Sequence, residues 1–315
     1  LIPLAVAGWF GMNNIRTEEV SPNIGSPVGA FSKITGMLLV GFFTAAVGLY
    51  IILPQPVGMG APDWSKWPVI AGILFTTVVL LKMIPGEIKP NLQRQFKIFN
   101  NKHTWVMSII YTMTFGSFIG FSAGFALAIK VIFGYQHLMV DGVMTHDTAN
   151  PAGPSALMYA WMGPFIGALI RPVGGWMADK IGGALVTGVV AGVMIASSLG
   201  VAYYMQQAYA SATPQDFFVP FLLLFLVLFA ATGIGNGSTF RTIAQIFPKE
   251  QAGPVLGWTS AVAAYGAFIF PKVFGEQIKL ATPEAALYGF AIFYAVCLVL
   301  NWWYYLGPKA EFKNP

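Results

Sequence analysis

The stretch FGSFIGFSAGFA, Phe115–Ala126, combines an apolar composition with a glycine at every fourth position. In a helix, Gly116, Gly120 and Gly124 would lie on one face, one above the other. Each glycine costs a helix about 1 kcal/mol relative to alanine, so three at one spacing need a compensating gain. In a membrane, small residues at this spacing let a neighbouring helix approach closely. The stretch therefore predicts a membrane helix that packs tightly against another helix.

The composition of the whole chain is that of a membrane protein. It has 315 residues, of which 56% are hydrophobic and 9% are charged, and its mean hydropathy is +0.67. Soluble domains carry about 25% charged residues. The single cysteine excludes an internal disulfide, and the three scattered histidines match no metal-ligand spacing. We therefore predict no metal and no cofactor, and we interpret the net charge of +5 as a topological signal rather than a nucleic-acid surface.

Eight apolar segments are long enough to span a bilayer, which takes about 20 residues. We predict that all are helices, because a backbone in lipid must satisfy its own hydrogen bonds and no alternating strand pattern is present. The predicted spans are Ser32–Leu53, Lys66–Ile84, Thr104–Ile129, Ala156–Ala178, Ala184–Met205, Phe217–Phe240, Leu256–Phe274 and Glu284–Leu306. The chain starts with LIPLAVAGWFGM, which is too short to span and lacks a starting Met, so we interpret it as the end of a helix whose start is missing.

The loop charges predict the orientation of these spans. Loops on one side carry eleven Lys and Arg residues, and loops on the other side carry four. Positive residues concentrate in cytoplasmic loops, so we place the first set and both chain ends in the cytoplasm. The longest outer loop, Val131–Ser155, contains Asp141 and Asp147 but no Lys or Arg.

The predicted fold class is an all-α polytopic membrane protein in six parts. Six helices after a polar linker are half of a common transporter plan, in which two such halves enclose a central site. The parts are the end of a truncated transmembrane helix (1–12), a cytoplasmic loop (13–31), an extra two-helix transmembrane hairpin (32–84), a basic cytoplasmic linker (85–103), a six-helix C-terminal transporter half (104–306) and a cytoplasmic tail (307–315).

Arg171 is the basic residue that lies deep inside a predicted span, and no Asp or Glu lies as deep. A charge at the bilayer centre costs at least about 2.5–3.5 kcal/mol, so such a residue is a functional candidate. Its guanidinium stays charged and offers a planar fork of donors, which fits a small planar oxyanion. Gly163 and Gly167 share its helix face and are expected to leave an open groove. The alternatives are that Arg171 snorkels to the interface or pairs with a carboxylate in the missing part, and that both glycines only pack helices.

Other candidates flank this arginine in neighbouring spans. Tyr111 and Phe115 share one helix face, where they would supply a hydroxyl donor and a flat wall, or would be ordinary core or lipid-facing aromatics. The stretch FAATGIGNGSTFR, Phe229–Arg241, has glycines at every second position and suggests a helix that thins or bends. Arg241, at its inner edge, is interpreted as a snorkelling or gate-side residue. A stripe of small residues would let two helices slide past each other, leave room for a ligand, or simply pack helices together. It consists of Gly257, Ser260, Ala264 and Ala267.

Four motifs in this order, each on its own span, resemble the nitrate/nitrite porter family of the major facilitator superfamily, the NarK type. They are TFGSFIGFSAGFA (Thr114–Ala126), GPFIGALIRPVGG (Gly163–Gly175), GIGNGSTF (Gly233–Phe240) and SAVAAYGAFIFPKVFG (Ser260–Gly275). The match also includes GWFGM (Gly8–Met12). The resemblance implies the C-terminal half of such a porter, with the first residues as the end of its sixth helix.

The resemblance also implies roles for single residues. Arg171 would be the substrate-binding arginine, Tyr111 would hydrogen-bond the anion, and Phe115 and Phe240 would be aromatic walls. Gly257 and Ser260 would belong to the family's nitrate signature helix. Asp179 and Lys180, in GGWMADKIGG, would hold the inner gate together with Arg241.

Three departures from the family pattern stand out. The other half, with its partner arginine, is absent. The signature reads AVAAYGAF, with alanines and Tyr265 where the family has more glycine. The hairpin at 32–84 is additional to a twelve-helix plan.

The predicted function is nitrate/nitrite transport by alternating access in a bacterial inner membrane, with nitrate and nitrite as substrates and the lipid bilayer and the missing N-terminal half as partners. The absence of a carboxylate within the spans favours exchange over proton-coupled symport. A non-transporting assembly or sensor protein and a carrier for another anion stay open. An enzyme is the weakest alternative, because no nucleophile–base pair or metal cluster is visible.

Overall fold

The computed structural model describes residues 27–83, 93, 95–141 and 143–315. The chain divides into two compact units, Leu1–Phe96 and Lys97–Pro315. The predicted helix end at 1–12, the loop up to residue 26 and the first part of the linker lie outside the described residues. We treat the two units separately.

The described part of the first unit is a helical hairpin. Helix α1 spans Pro27–Ile52 and helix α2 spans Lys66–Met83. Thr77 donates a hydrogen bond of 2.8 Å to the buried hydroxyl of Thr44. Gly48 lets the helices meet, since a methyl group there would lie 2.8 Å from the Ile73 side chain. The two helices therefore associate through a small residue and a polar pair, as expected in lipid.

The described part of the second unit contains six long helical segments. They are α3 (Lys102–Phe133), α4 (Ala156–Ile181), α5 (Gly183–Tyr209), α6 (Pro214–Ile246), α7 (Lys249–Lys279) and α8 (Ala285–Leu306). In the described chain, these six and the Ile34–Ile52 part of α1 are long and apolar enough to cross a membrane, whereas the apolar part of α2, Trp67–Met83, is shorter. The prediction of an all-α polytopic membrane protein is confirmed.

The connection between α3 and α4 contains two short strands. Strands β1 (Tyr135–Val140) and β2 (Val143–Ala149) form an antiparallel hairpin. His137, on β1, is 1% exposed and its Nδ1 lies 2.6 Å from Nδ1 of His146 on β2. Both strands lie outside the apolar spans, to which the prediction of helices applied.

Three of the long helical segments are interrupted rather than uniform. Helix α3 contains two π-turns, at Thr112–Gly116 and Ile129–Phe133. Helix α4 breaks at Ile170 and α7 breaks at Tyr265. Proline contributes to the break in α4, because Pro172 lies at the start of the piece Arg171–Ile181 and cannot donate a helical hydrogen bond. The predicted spans could not show these breaks, since apolar composition continues through them.

The row of glycines in α3 is explained by α7. A methyl group at Gly120 would lie 2.5 Å from the Phe270 side chain, and one at Gly116 would lie 3.0 Å from the Ala263 carbonyl oxygen. The predicted close approach of a neighbouring helix is therefore confirmed at these two positions. Gly124 has no atom within 4 Å of the corresponding point, so it takes no part in the contact.

The other glycine-rich stretch, Phe229–Arg241, packs closely against neighbouring helices, and its bending during transport stays a prediction. Helix α6 continues through it, and its glycines are packing positions. A methyl group at Gly233 would overlap the carbonyl oxygen of Gly167, and one at Gly237 would overlap that of Arg171. Gly235 faces the opposite way, where a methyl group would lie 2.5 Å from Thr114. Helix α6 therefore lies against the backbone of α4 on one side and against the Thr114 side chain of α3 on the other.

Aromatic side chains fill the core between α3 and α6. Phe121 and Phe125 meet Phe225 with ring centroids 5.4 and 4.7 Å apart, and all three are fully buried. Phe229 continues this row toward α4. Aromatic edges and faces at such distances attract each other in addition to burying area. This core fixes α3 and α6 next to each other, and both carry candidate site residues.

Polar contacts join the C-terminal tail to the turn between α4 and α5. The Asn314 side chain donates to the Ile181 carbonyl at 2.7 Å and accepts from the Leu185 backbone at 2.9 Å, which connects the predicted tail to the α4–α5 turn. Gly182 in that turn has a φ of 91°, a conformation that favours glycine. The last residues of the predicted linker are folded as well, since Ile98 is 3% exposed.

Candidate anion-binding site

Arg171 lies at the break of α4, where the helix restarts. Its guanidinium carbon is 4.4 Å from the ring centroid of Phe118 and 5.5 Å from that of Phe115. Both rings belong to α3, so α3 supplies the surface on which the guanidinium rests. A cation over an aromatic face gains about 0.5–2 kcal/mol, more where water is excluded.

Asn236 of α6 joins Arg171 to Tyr111. Its amide oxygen accepts from Nε and Nη2 of Arg171, at 3.2 Å each, and its amide nitrogen donates to the Tyr111 hydroxyl at 2.8 Å. The opposite amide orientation would face the guanidinium with an NH₂ group, donor against donor, so the hydrogen-bonding pattern decides the assignment. Tyr111 and Asn236 are 2% and 4% exposed. The three residues form one polar chain across α3, α4 and α6, in which Tyr111 and Asn236 are buried and Arg171 is half-buried.

The predicted aromatic residues gather around this chain. The rings of Tyr111 and Phe115 stack with centroids 5.2 Å apart, and the Tyr111 and Phe240 rings lie 5.4 Å apart. Phe240 is 39% exposed, so it lies at the edge of the unit rather than in its core. The π-turn at Thr112–Gly116 directly follows Tyr111 and contains both Phe115 and Gly116, the first glycine of the row.

The two candidates on α7 differ in position. The Ser260 side chain lies near the Tyr111 hydroxyl, so it belongs to the cluster. Gly257 does not, because a methyl group there would have no atom of this chain within 4 Å. The stripe to which both belong faces away from the core: Gly257, Ala264 and Ala267 are exposed.

The predicted groove beside Arg171 is wrong. A methyl group at Gly163 would overlap the Phe229 ring, and one at Gly167 would lie 2.6 Å from Phe118. These glycines admit aromatic side chains and the backbone of α6 rather than a ligand. The alternative, that they pack helices, is the correct one.

The charge of Arg171 has no acidic partner in the described part of the chain. The salt bridges there join Lys102 and His103 to Glu311, Arg241 to Asp179, and Lys272 to Glu276. Arg171 instead contacts a neutral amide and aromatic rings. The cluster therefore presents a net positive charge within a mainly apolar layer, which is an electrostatic setting for an anion.

Comparison with known proteins gives the family. No family model matches the chain. The chain is 38% identical to the probable nitrate/nitrite antiporter NarK2 of Thermus thermophilus, over 88% of this chain and 59% of that protein. It is 34% identical to the nitrate/nitrite transporter NarU of Salmonella typhimurium, over 82% of this chain and 56% of that protein. The chain belongs to the NarK-type porter family.

The chain spans about half the length of the NarK and NarU proteins it matches. For NarU of Escherichia coli, which is 33% identical, the match covers 71% of this chain and 48% of that protein. The transport activity of the whole protein is therefore proposed below.

Two of the three candidates for the inner gate, Asp179 and Arg241, form an ion pair. Nε of Arg241 donates to the Asp179 carboxylate, and the side chains are 48% and 47% exposed. This pair links α6 to α4, and its role in a gate stays a prediction. Lys180 is exposed, and none of the described acidic side chains is within salt-bridge distance of it.

Two residues of the cluster were not predicted, Asn236 and Phe118. Both lie in motifs that the sequence had already singled out. The signal for Asn236 was available, because an amide within an apolar span must find a hydrogen-bond partner and Arg171 is the deep cation. Phe118 lies one turn after Phe115, but only the π-turn and the break in α4 bring its ring under the guanidinium.

Proposed function

We propose that the whole protein is a nitrate/nitrite transporter that exchanges one anion for the other by alternating access. One observation carries this proposal: Arg171 is held within the membrane layer among aromatic rings and a neutral amide, without an acidic partner in the described residues. The names of the relatives, nitrate/nitrite antiporter and nitrate/nitrite transporter, supply the substrates.

The site would hold a planar oxyanion by three kinds of contact. Arg171 donates parallel hydrogen bonds and the opposite charge. Tyr111 and Ser260 donate further hydrogen bonds from the side. Phe115 and Phe240 cover the flat faces of the anion, which carry no good hydrogen-bonding positions. Nitrate and nitrite share the charge and planarity that these contacts require.

Exchange follows from the charge balance of such a site. We propose that the remainder of the whole protein supplies a second arginine opposite Arg171. Two like charges repel each other in a closed and empty site, and a bound anion relieves that repulsion. The loaded carrier would then change sides more readily than the empty one, which is the condition for exchange. The lack of a described carboxylate at Arg171 favours this scheme over proton symport.

The other candidates receive supporting roles in this proposal. The Asp179–Arg241 pair would close the cytoplasmic side and open during the cycle, with Lys180 nearby. The exposed stripe that contains Gly257 would face the rest of the transport path. We place the protein in the bacterial inner membrane with its C-terminus in the cytoplasm, because the positive loops would then face inward.

The test compares wild type with Arg171→Gln in proteoliposomes. The vesicles are loaded with nitrite, and the initial uptake of labelled nitrate by the full-length protein is measured. We expect wild-type uptake and a loss of at least about a hundredfold in the variant, because the hydrogen bonds to a charged donor and its charge are both removed. Lys97→Arg, at an exposed position, serves as the control. Equal uptake by Arg171→Gln and wild type would reject the site, and no uptake by wild type would favour a non-transporting protein.

A further inference from the structure

Asn236 is the residue that contacts both polar groups of the cluster. Its amide oxygen takes one N–H from Nε and one from Nη2 of Arg171, and its nitrogen donates to Tyr111. A guanidinium has five N–H groups, so three remain: both on Nη1 and one on Nη2. Those three include the pair on the Nη1–Nη2 edge, which is a fork that fits two oxygens of an anion. Asn236 therefore occupies one edge of the guanidinium and leaves the other edge available.

The backbone around Asn236 limits how far its side chain can move. Gly233 and Gly237 of α6 flank it, and methyl groups at these positions would overlap the carbonyl oxygens of Gly167 and Arg171. Helix α6 thus lies directly on the backbone of α4 on both sides of the amide. The short Asn side chain reaches the guanidinium because the helices are this close, and the guanidinium cannot turn away without breaking two hydrogen bonds.

The neutral charge of this acceptor matters as much as its position. An aspartate at 236 would be similar in size and would accept the same hydrogen bonds from Arg171. It would also form an ion pair and cancel the positive charge that attracts an anion. An amide satisfies the buried donors while leaving the charge in place.

We propose that Asn236 is a positioning residue for anion binding, which turns the free edge of Arg171 and the hydroxyl of Tyr111 toward the substrate and keeps the site cationic. This inference rests on the proposed function of the same site. It assigns Asn236 an effect on the affinity for the anion rather than on the assembly of the helices.

Asn236→Asp separates these two effects. A residue with a structural role alone would be replaced well by aspartate, which keeps the size and the acceptors. The positioning role predicts instead that the variant folds and melts at or above the wild-type temperature. Its KM for nitrate should rise by at least about tenfold, because the ion pair with the new carboxylate weakens the hydrogen bonds that Arg171 offers to the anion. Asn100→Asp, the same change at an exposed site, is the matched control and should keep the wild-type KM. A wild-type KM in a folded Asn236→Asp protein would overturn the proposal.

A second measurement does not depend on transport. Phenylglyoxal modifies the unprotonated guanidine, so a carboxylate placed beside Arg171 should slow the reaction there by favouring the protonated form. Mass spectrometry should show slower labelling of Arg171 in Asn236→Asp and faster labelling in Asn236→Leu, with Arg241 as the reference in the same digest. Equal labelling of Arg171 in all three proteins would overturn the positioning role. Altered labelling without nitrate transport by wild type would uphold it and reject the proposed function.

Discussion

At the scale of residues, the site depends on how Arg171 is surrounded. A guanidinium within an apolar layer needs partners, and it has two aromatic rings and one amide rather than a carboxylate. The rings and the amide hold it without neutralising it. This arrangement explains why a positive charge can remain at this depth and still be available to a mobile anion.

Replacing Arg171 by lysine should reduce anion binding although the charge is kept. An ammonium group cannot hydrogen-bond to Asn236 and also offer two parallel N–H donors to the anion. Arg171→Lys should therefore raise the KM for nitrate by about tenfold or more. The measurement is the concentration dependence of nitrate uptake in proteoliposomes. An unchanged KM would mean that the charge alone, and no fork geometry, recognises the anion.

Sequence reasoning found the charged residue but not its local partners. Arg171 stood out because a deep charge is costly in any structure, so its importance follows from composition alone. Asn236 and Phe118 became visible only with the packing of α3, α4 and α6. Gly163 and Gly167 show the same limit. The space beside a glycine can stay open or be occupied by a neighbouring side chain or backbone, and the sequence does not show which.

At the scale of elements, close contacts at glycine replace the hydrophobic effect that joins helices in water. Helices α3 and α7 meet at Gly120, and α6 meets α4 at Gly233 and Gly237. The existence of all eight helices followed from their apolar composition. The β1–β2 hairpin and the breaks at Ile170 and Tyr265 did not, because they depend on local backbone geometry.

Two glycines of the same row in α3 should respond in opposite ways to a methyl group. Gly120→Ala would meet the Phe270 side chain at 2.5 Å and the Gly266 carbonyl at 2.8 Å, so it should destabilise the protein by about 1–3 kcal/mol. Gly124→Ala has open space and should be neutral or stabilise by up to about 1 kcal/mol. Thermal unfolding in detergent checks the pair, and equal melting temperatures for the two variants would contradict the assigned contact.

The β1–β2 hairpin should loosen as the pH falls. Burial lowers the pKa of His137, and the nearby His146 lowers it further. The hydrogen bond between His137 and the Ile132 carbonyl raises this pKa and so opposes the other two effects. The neighbouring titratable groups are His146 and Tyr209, which stack on each other, and Glu284, which lines the same cavity as both. A lowered histidine pKa means that the docked hairpin disfavours the proton. Its stability is therefore complete above the ordinary pKa of 6.5 and declines as the pH falls below it.

Amide hydrogen exchange of residues 135–149 at pH 7.5 and pH 5, corrected for the intrinsic rates, measures this effect. We expect lower protection of the hairpin at pH 5 in wild type. The exchange of α5 within its apolar core should change little and provides the internal control. Equal protection of the hairpin at both pH values would contradict the assigned role of the histidine pair.

At the scale of the whole molecule, the proposed exchange couples the movement of one anion into the cell to the movement of another out of it. The six helices of the second unit carry one side of the proposed site, and the exposed Gly257 stripe and Phe240 leave that side open. Membership of the family could be predicted from four motifs in order. The coupling mechanism stays a proposal, because the second arginine that we propose for it is not among the described residues.

The most direct test of the account is the initial rate of labelled nitrate uptake into proteoliposomes as a function of internal nitrite, with and without a pH gradient across the membrane. Exchange predicts that uptake needs internal nitrite, saturates as its concentration rises, and is unchanged by the pH gradient. Uptake driven by the pH gradient into vesicles without internal nitrite or nitrate would contradict exchange and indicate proton symport.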